Sequence, residues 1–413
     1  MARTPRRIVV IGAGLAGAHV SLRLRDLGYG GELILVGEEE HAPYDRPPLS
    51  KAVLTGELEH TVLPHEWGEL GVSLASGRRA LWLDPAQRTV GLSSGVELTY
   101  EGLVLATGGA PVRLPGPGEQ LTLRTLDDAW ALRDRLRPGA HIAIVGASWI
   151  GAEVATAALA AGCRVTCVDA GPEPLGQALG AEVGALTRPW WDGADLRTGT
   201  GVRSVEDGGL ILADGAELAA DAVVVGIGVR PATAWLEGSG IALDRGVLVD
   251  PWLRSSAPGV VALGDTAVVE SRRYGRRLRT EHWDDAVRAA GVAAATLLRG
   301  GAEPDPTDPV HDPVPYFWSN QFGHLLQFAG SHMPGDERVV RSATGVRGFS
   351  VGWFAEGRLT ALLAVDRPRD LAQARKIVDA DRDIDLVRFA DAAVPLVDCV
   401  VPSADLARPA PTG

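Results

Sequence analysis

The sequence predicts an α/β protein, with two Rossmann-like three-layer domains in tandem and a C-terminal α+β domain. Three observations carry this. A strand, a glycine turn and a helix are written in "RRIVVIGAGLAGAHVSLRLRDLG" near the N-terminus. The same device recurs in "AHIAIVGASWIGAEVATAALAAGCRVTCVDAG". Near the C-terminus, "GFSVGWFAEGRLTALLAVDRPRDLAQARKIV" reads as strand, turn, strand and helix, with "AEGR" as the turn. A chain of 413 residues is also too long for one ordinary core, since domains typically hold roughly 100–200 residues.

The first copy opens on the apolar run Ile8–Ile11, followed by Gly12-x-Gly14-x-x-Gly17. Gly12 permits the tight turn, and Gly14 lets backbone amides approach a pyrophosphate. Gly17 lets the helix pack close to the strand, with the helix N-terminus facing the phosphates. The helix carries Ala18, Leu22 and Leu24 toward the sheet. The next strand, in "ELILVGEE", runs to Glu38, whose carboxylate can bind the two hydroxyls of an adenosine ribose. These parts together predict a dinucleotide site.

The second copy has strand Ile142–Val145, then Gly146-x-Ser148-x-x-Gly151, a helix, and a strand ending at Asp169. Serine replaces the middle glycine and is small enough for close approach. Asp169 would repel a 2′-phosphate, and the following "AGPEPLGQ" contains no arginine to bind one, so the non-phosphorylated cofactor NADH is favoured. Each copy is then closed by a strand entering a second turn, Ala106-Thr107-Gly108 after the first and Gly226-Ile227-Gly228 after the second. Later, "APGVVALGDTA" ends a short strand at Gly264-Asp265, where a carboxylate can hold a polyol chain such as ribitol.

Composition narrows the class. The chain is 46% hydrophobic and 22% charged, with no apolar run approaching a membrane span. The N-terminal apolar stretch reads as a first strand rather than a signal peptide, so a cytoplasmic location is expected. Three cysteines, Cys163, Cys167 and Cys399, form neither a disulfide framework nor a CxxC pair. The net charge of −12 works against nucleic-acid binding. His282 has no metal-like partner pattern, and no metal site is expected.

Two nucleotide units, a closing turn after each and a distal Gly-Asp resemble the two-dinucleotide-binding flavoproteins of glutathione-reductase fold. Within them the chain is similar to the FAD-dependent ferredoxin and rubredoxin reductase family, the group of putidaredoxin reductase. The matching stretches are "YDRPPLSK", "LRTLDDA", "IGAEVA", "GIGVRP", "LGDTA", "RTEHWDDAV" and "PYFWSNQFG". The resemblance implies a discontinuous FAD domain, residues 1–110 and 240–315, an NAD domain at 111–239, and the α+β domain at 316–413. It implies non-covalent FAD contacts at Gly12, Gly14, Leu15, Ala16, Gly17, Glu38, Arg46, Lys51, Ala80, Ala106, Thr107, Gly108, Arg124, Gly264, Asp265, His282, Trp283 and Trp318, with Ala80 acting through its backbone. NADH is expected at Gly146, Ser148, Ile150, Gly151, Glu153, Asp169, Gly226, Ile227 and Gly228.

The implied activity is an NADH:ferredoxin oxidoreductase serving a cytochrome P450 or another oxygenase. Nicotinamide gives up two electrons as a hydride, an iron–sulfur cluster takes one, and a flavin can mediate between them. Lys51 is one of only two lysines among 40 basic residues. Its ammonium is a compact charge suited to the flavin edge, where a guanidinium would crowd the nicotinamide. Glu153 is its implied ion-pair partner. A surface lysine and a helix first-turn acid remain the plain alternatives. Arg46 is suited to bind the pyrophosphate or to cap its loop. Trp283 and Trp318 are each placed either beside the flavin or in the core, with the flavin favoured for Trp283.

"SRRYGRRLRTEHW" gathers Arg272, Arg273, Arg276, Arg277 and Arg279, with Gly275 as a hairpin tip. It is a candidate docking surface for an acidic ferredoxin, and strand alternation would divide the arginines between two faces. Two other activities fit the fold. A thiol or peroxide reductase needs a cysteine in the first copy, and the chain has none before Cys163. A redox-sensing or binding protein of the apoptosis-inducing-factor type is the other. Monomer and homodimer are both open, and the final "ARPAPTG" reads as a loose tail.

Overall fold

The computed structural model describes residues 3–342 and 347–402. The chain divides into two compact units, Met1–Asp312 and Pro313–Gly413. The "ARPAPTG" segment lies outside the described residues.

Two parallel sheets organise the first unit. In one, strands Val260–Ala262, Gly102–Leu105, Arg7–Ile11, Glu32–Val36 and Val72–Ala75 lie side by side in that order, all parallel. Their apolar runs are continuous because both faces are covered. Ile8, Val9, Val10, Leu103, Val104 and Leu105 are fully buried. Helix Leu15–Asp26 buries Ala18 and Leu24, with Leu22 half-buried against the same core. It packs against helix Trp283–Leu298, whose buried Ala289, Ala290, Ala293 and Ala294 keep that face flat.

The second sheet orders strands Asp195–Arg197, Arg164–Val168, His141–Val145 and Ala222–Val225, again all parallel. Helix Trp149–Ala160 follows its glycine turn. Cys163 and Cys167 are buried at and within strand Arg164–Val168, and Cys399 is buried in the second unit. Burial pushes all three thiols up, which disfavours the nucleophilic thiolate.

The repeat goes deeper than the glycine motif. Between the outer strand and the returning strand, each copy inserts a three-stranded antiparallel meander. In the first copy its strands are Ala80–Asp84, Thr89–Leu92 and Glu97–Thr99. In the second they are Val202–Glu206, Gly209–Leu212 and Glu217–Ala219. Both meanders run to 5, 4 and 3 residues, which is too short to leave a readable period in the sequence. The copies are tied by antiparallel pairing of Gly109–Pro111 with Val229–Pro231.

Strands Ala267–Ser271 and Arg276–Leu278 form the arginine-rich hairpin, with Gly275 at φ +59° between them. In the second unit, strands Tyr316–Gln321, His324–Gly330, Arg358–Val365, Phe349–Ala355 and Glu337–Arg341 form one antiparallel sheet in that order. "AEGR" is the turn, with Ala355 opposite Arg358. Helix Pro368–Asp379 covers the sheet. Its Asp370 pairs with the fully buried Arg341, at 3.3 Å.

Candidate functional site

The glycine turns are sterically obligatory. Gly12 has φ +112°, and a Cβ there would stand 2.1 Å from the Ala106 carbonyl oxygen. A Cβ on Gly17 would lie 1.9 Å from the Gly12 carbonyl oxygen. The second copy repeats this, with Gly151 equally tight, at 1.9 Å, against the Gly146 carbonyl oxygen. Thus Ala106 and Gly226, which begin the closing turns, are the surfaces against which the two glycine turns fold.

The two helix N-termini then differ. Helix Leu15–Asp26 starts at Gly14 with neither a side-chain cap nor an acid in its first turn. Its first amides are therefore directed at something outside the helix, and an anionic pyrophosphate fits that need. A Cβ on Gly14 would meet only the Arg46 guanidinium, with Nη2 at 3.8 Å. In the second copy the Ser148 Oγ accepts from the Gly151 amide at 3.3 Å and donates to the Gly226 carbonyl at 2.7 Å. Serine at this position thus caps its own helix and clips the turn to the returning strand.

Arg46 is fixed from several sides. Its Nη2 donates to Glu39 Oε1 at 2.7 Å, and Nη1 donates to Tyr44 Oη at 3.1 Å and to the Arg124 carbonyl. Tyr44 in turn donates to Glu39 Oε2 at 2.5 Å and accepts from the Leu126 amide at 2.9 Å. Arg46 therefore caps its loop, with its guanidinium over Gly14. Glu39 and Tyr44 are supports that sequence reasoning missed, although Tyr44 opens the "YDRPPLSK" stretch. Glu38 is exposed, with Arg79 Nη1 3.6 Å away. Ala80 is buried at the start of its meander strand.

The two prolines of "YDRPPLSK" start a 3-10 turn, Pro47–Ser50, that delivers Lys51. Lys51 Nζ lies 2.8 Å from Glu153 Oε2 and donates to Ser50 Oγ and the Pro47 carbonyl, each at 3.2 Å. Ser50 Oγ also donates to Glu153 Oε2. Glu153 is only 4% exposed, so without these donors its charge would be stranded. The pair joins the first copy's loop to the first turns of the second copy's helix. Ser50 is the third member, and nothing in the sequence singles it out.

Around the Gly264-Asp265 turn, Arg124 Nη2 meets Asp265 Oδ2 at 2.7 Å. Thr107 Oγ1 donates to the Ala232 carbonyl at 2.8 Å. A Cβ on Gly108, φ +65°, would stand 3.2 Å from Arg124 Nη2. Leu15 is half-buried and Ala16 buried, the latter facing Gly264. Arg279 pairs with Glu281 and reaches the Asp265 carbonyl at 3.5 Å. Glu281 is a further charged neighbour, inside the "RTEHWDDAV" stretch but given no role from the sequence. Burial pushes its carboxyl up, against the pull of Arg279. Trp283 Nε1 donates to Asp45 Oδ1 at 2.8 Å, which anchors its indole to the proline loop. His282 stands at the N-terminal boundary of that helix; burial lowers its pKa, opposed by Asp285, Asp265 and Asp284.

In the second copy, Asp169 Oδ2 accepts from the Ala147 amide and Oδ1 from the Gly171 amide, both at 2.6 Å. Ile150 and Ile227 are each 37% exposed, leaving two apolar side chains open beside the glycine turn and its closing turn, together with Gly228. Although no arginine follows Asp169 closely in sequence, Arg188 reaches the Pro172 carbonyl at 2.9 Å and Glu173 at 2.7 Å. Trp318 belongs to the second unit, where its ring stacks on Tyr316 at 6.0 Å. Among the described residues no cluster able to hold a metal occurs. Of the hairpin arginines, Arg272 and Arg277 are exposed, Arg273, Arg276 and Arg279 half-buried.

Comparison with known proteins adds the following. Residues 6–290 match the family described as pyridine nucleotide-disulphide oxidoreductase, and residues 316–400 match that described as reductase C-terminal. The chain is 36% identical to the chlorobenzene dioxygenase ferredoxin reductase component of Cupriavidus sp. (strain PS12), over 95% of this chain and 97% of that protein. The crystal structure of Fdr9 is similar at a TM-score of 0.91 and 52% identity, covering 95% of this chain and 99% of the other. A chain of the covalent putidaredoxin reductase-putidaredoxin complex is similar at a TM-score of 0.88 and 31% identity, covering 97% and 98%.

Proposed function

The chain belongs to the pyridine nucleotide-disulphide oxidoreductase family, and from that premise we propose that it is an FAD-containing, NADH-dependent ferredoxin reductase supplying an oxygenase or cytochrome P450. The observation that carries this reading is the Ser50–Lys51–Glu153 cluster, which links the loop of one nucleotide unit to the helix start of the other. Bound FAD would supply the exchange between a two-electron hydride donor and one-electron acceptors. The uncapped amides at Leu15, Ala16 and Gly17, with Arg46 above Gly14, would hold its pyrophosphate. Glu38 would take the adenosine ribose and Asp265, braced by Arg124, the ribityl chain.

Lys51 would place a positive charge at the redox end, and Glu153 would hold that ammonium in position. Ser148, Gly151 and Asp169 would seat the pyrophosphate and ribose of NADH, with Ile150 and Ile227 covering apolar ring surface. No thiol competes for the electrons, because the first copy contains no cysteine and the other thiols are buried. The names of the relatives, a ferredoxin reductase component and a complex with putidaredoxin, support an iron–sulfur partner. Arg272 and Arg277 are the residues best placed to meet it. The three free, buried cysteines support a cytoplasmic location. Among the described residues no helix is long and apolar enough to cross a membrane.

The test is reconstitution. Purified protein, NADH and a panel of [2Fe–2S] and [4Fe–4S] ferredoxins are scored by cytochrome c reduction. Ferredoxin-dependent reduction is expected. Tight NADH binding without turnover toward any ferredoxin or artificial acceptor would instead assign a sensor.

A further inference from the structure

The loop after Asp169 is closed on itself and on the glycine turn. The Ala147 amide donates to Asp169, and the Leu175 amide donates back to the Ala147 carbonyl at 2.8 Å. Residues 169–175 therefore form a rigid rim around the position where an adenosine ribose would meet Asp169. Into this rim comes a cation from elsewhere in the sequence. Arg188 starts the 3-10 turn Arg188–Trp191. Its Nη2 donates to the Pro172 carbonyl at 2.9 Å and to Thr198 Oγ1 at 2.7 Å, and its Nε donates to Glu173 Oε2 at 2.7 Å. Thr198 itself lies on the segment that bonds back to the rim, through the Gly199 amide to the Gly171 carbonyl and the Thr200 amide to the Asp169 carbonyl. The rim thus holds a guanidinium, the group that binds phosphate monoesters by paired hydrogen bonds. It does so with that guanidinium already committed to a carboxylate.

We propose that Glu173 is a specificity-determining residue for the nucleotide: by occupying Arg188 it denies a 2′-phosphate the cation held in this rim, and so works with Asp169 to exclude NADPH. The proposal rests on the reading that the second copy binds a nicotinamide dinucleotide. Charge supports it. The rim carries two carboxylates, Asp169 and Glu173, against the guanidinium of Arg188, so a dianionic phosphate enters a net negative site. The pair is also partly shielded, with side-chain exposures of 40% for Arg188 and 22% for Glu173. Packing fixes where Glu173 points. A Cβ built on Gly184 would stand 3.1 Å from Glu173 Cβ, and one on Gly176 3.6 Å, so the base of Glu173 is wedged between two glycines. A consequence follows for Asp169: removing it alone leaves Arg188 engaged and cannot by itself create a phosphate site.

The test is calorimetric titration of the FAD-loaded protein with NAD⁺ and with NADP⁺, which needs no turnover. Wild type should bind NAD⁺ more tightly than NADP⁺. Asp169→Ser should weaken NAD⁺ and leave NADP⁺ nearly unchanged. Adding Glu173→Ala, which keeps the Cβ between the glycines, should tighten NADP⁺ by at least about tenfold relative to Asp169→Ser, the size of one charge-assisted hydrogen bond. Adding Arg188→Gln to that double variant should remove the improvement. Glu173→Gln, which keeps the side-chain volume, should move NADP⁺ in the same direction as Glu173→Ala. The proposal is overturned if Asp169→Ser alone improves NADP⁺ binding as much as the double variant, or if the improvement survives Arg188→Gln. A wild-type protein that binds neither nucleotide would overturn the reading of the second copy, and the proposal with it. A wild type that binds NAD⁺ well, with no improvement in the double variant, would overturn the proposal alone.

Discussion

At Lys51 the chemistry is decided by what surrounds a single carboxylate. Glu153 is buried, and its Oε2 receives hydrogen bonds from both Lys51 and Ser50. Breaking a buried pair by removing one partner costs about 3–5 kcal/mol; Lys51 is 25% exposed, which places this pair toward the lower end. Lys51→Ala should therefore retain FAD but slow NADH oxidation with an artificial acceptor by roughly 100-fold, as for loss of one preorganised charge. Steady-state and stopped-flow rates check this, and unchanged reduction kinetics would remove the role given to the ammonium. His282 offers a pH test. Burial holds its folded pKa below the ordinary 6.5, so the unfolded chain binds a proton that the folded one refuses. Stability is complete above pH 6.5 and declines as pH falls below it. His19 and His141 shift in the same direction, also through burial. The thermal midpoint should drop between pH 7.5 and pH 5.5, and less so in His282→Asn. Lys51 could be singled out from the sequence because lysine is rare in this chain. Ser50 and Arg188 could not, because each meets its carboxylate, Glu153 and Glu173, only when separate segments fold together, and Glu39 and Glu281 pair with near neighbours, Arg46 and Arg279, through contacts that no spacing rule marks.

The repeated element shows what a motif does and does not reveal. Strand, glycine turn and helix are legible because each part is a local steric demand, such as the 1.9 Å approach behind Gly17 and Gly151. The meanders were illegible because strands of 3–5 residues carry no period, and their pairing is set by tertiary contact. The difference between the copies is chemically informative. The first helix leaves its opening amides without a side-chain cap, whereas Ser148 satisfies one in the second. A site whose helix is self-capped can release its ligand without stranding that amide, which suits a nucleotide that comes and goes. Ser148→Ala should lose the cap and the bond to the Gly226 carbonyl, costing about 1 kcal/mol, whereas removal of FAD should destabilise the uncapped helix more. Calorimetry of wild type, variant and apoprotein decides this. An apoprotein as stable as the holoprotein would contradict the assignment of the first helix to a resident phosphate group.

Across the whole molecule the acidic balance sets a condition on any acidic partner. The chain carries 52 acidic against 40 basic residues, a net charge of −12, so at long range such a partner is repelled and only local positive charge can orient it. The hairpin Ala267–Leu278 supplies that charge unevenly. Arg272 is exposed and stands 5.7 Å over the Trp252 ring, which Arg254 also faces at 5.7 Å. Arg277 meets Asp244 only at 3.7 Å, with both side chains half or more exposed. A pair of that kind contributes little and exchanges readily. Arg279 points the other way, to Glu281 and the Asp265 carbonyl. Arg272 lies in the turn and Arg279 beyond the end of strand Arg276–Leu278, so local contacts rather than strand alternation leave Arg272 and Arg277 exposed and turn Arg279 to the site. Because exposed charges are screened beyond about 10 Å at 0.1 M salt and about 3 Å at 1 M, ferredoxin-dependent cytochrome c reduction should fall steeply with ionic strength. The double variant Arg272→Gln/Arg277→Gln should lower that rate by about tenfold at low salt and flatten its salt dependence. Reduction of a neutral quinone by NADH should be unchanged in the variant, since neither arginine touches the nucleotide sites. A variant with an undiminished salt slope would move the docking surface away from this hairpin.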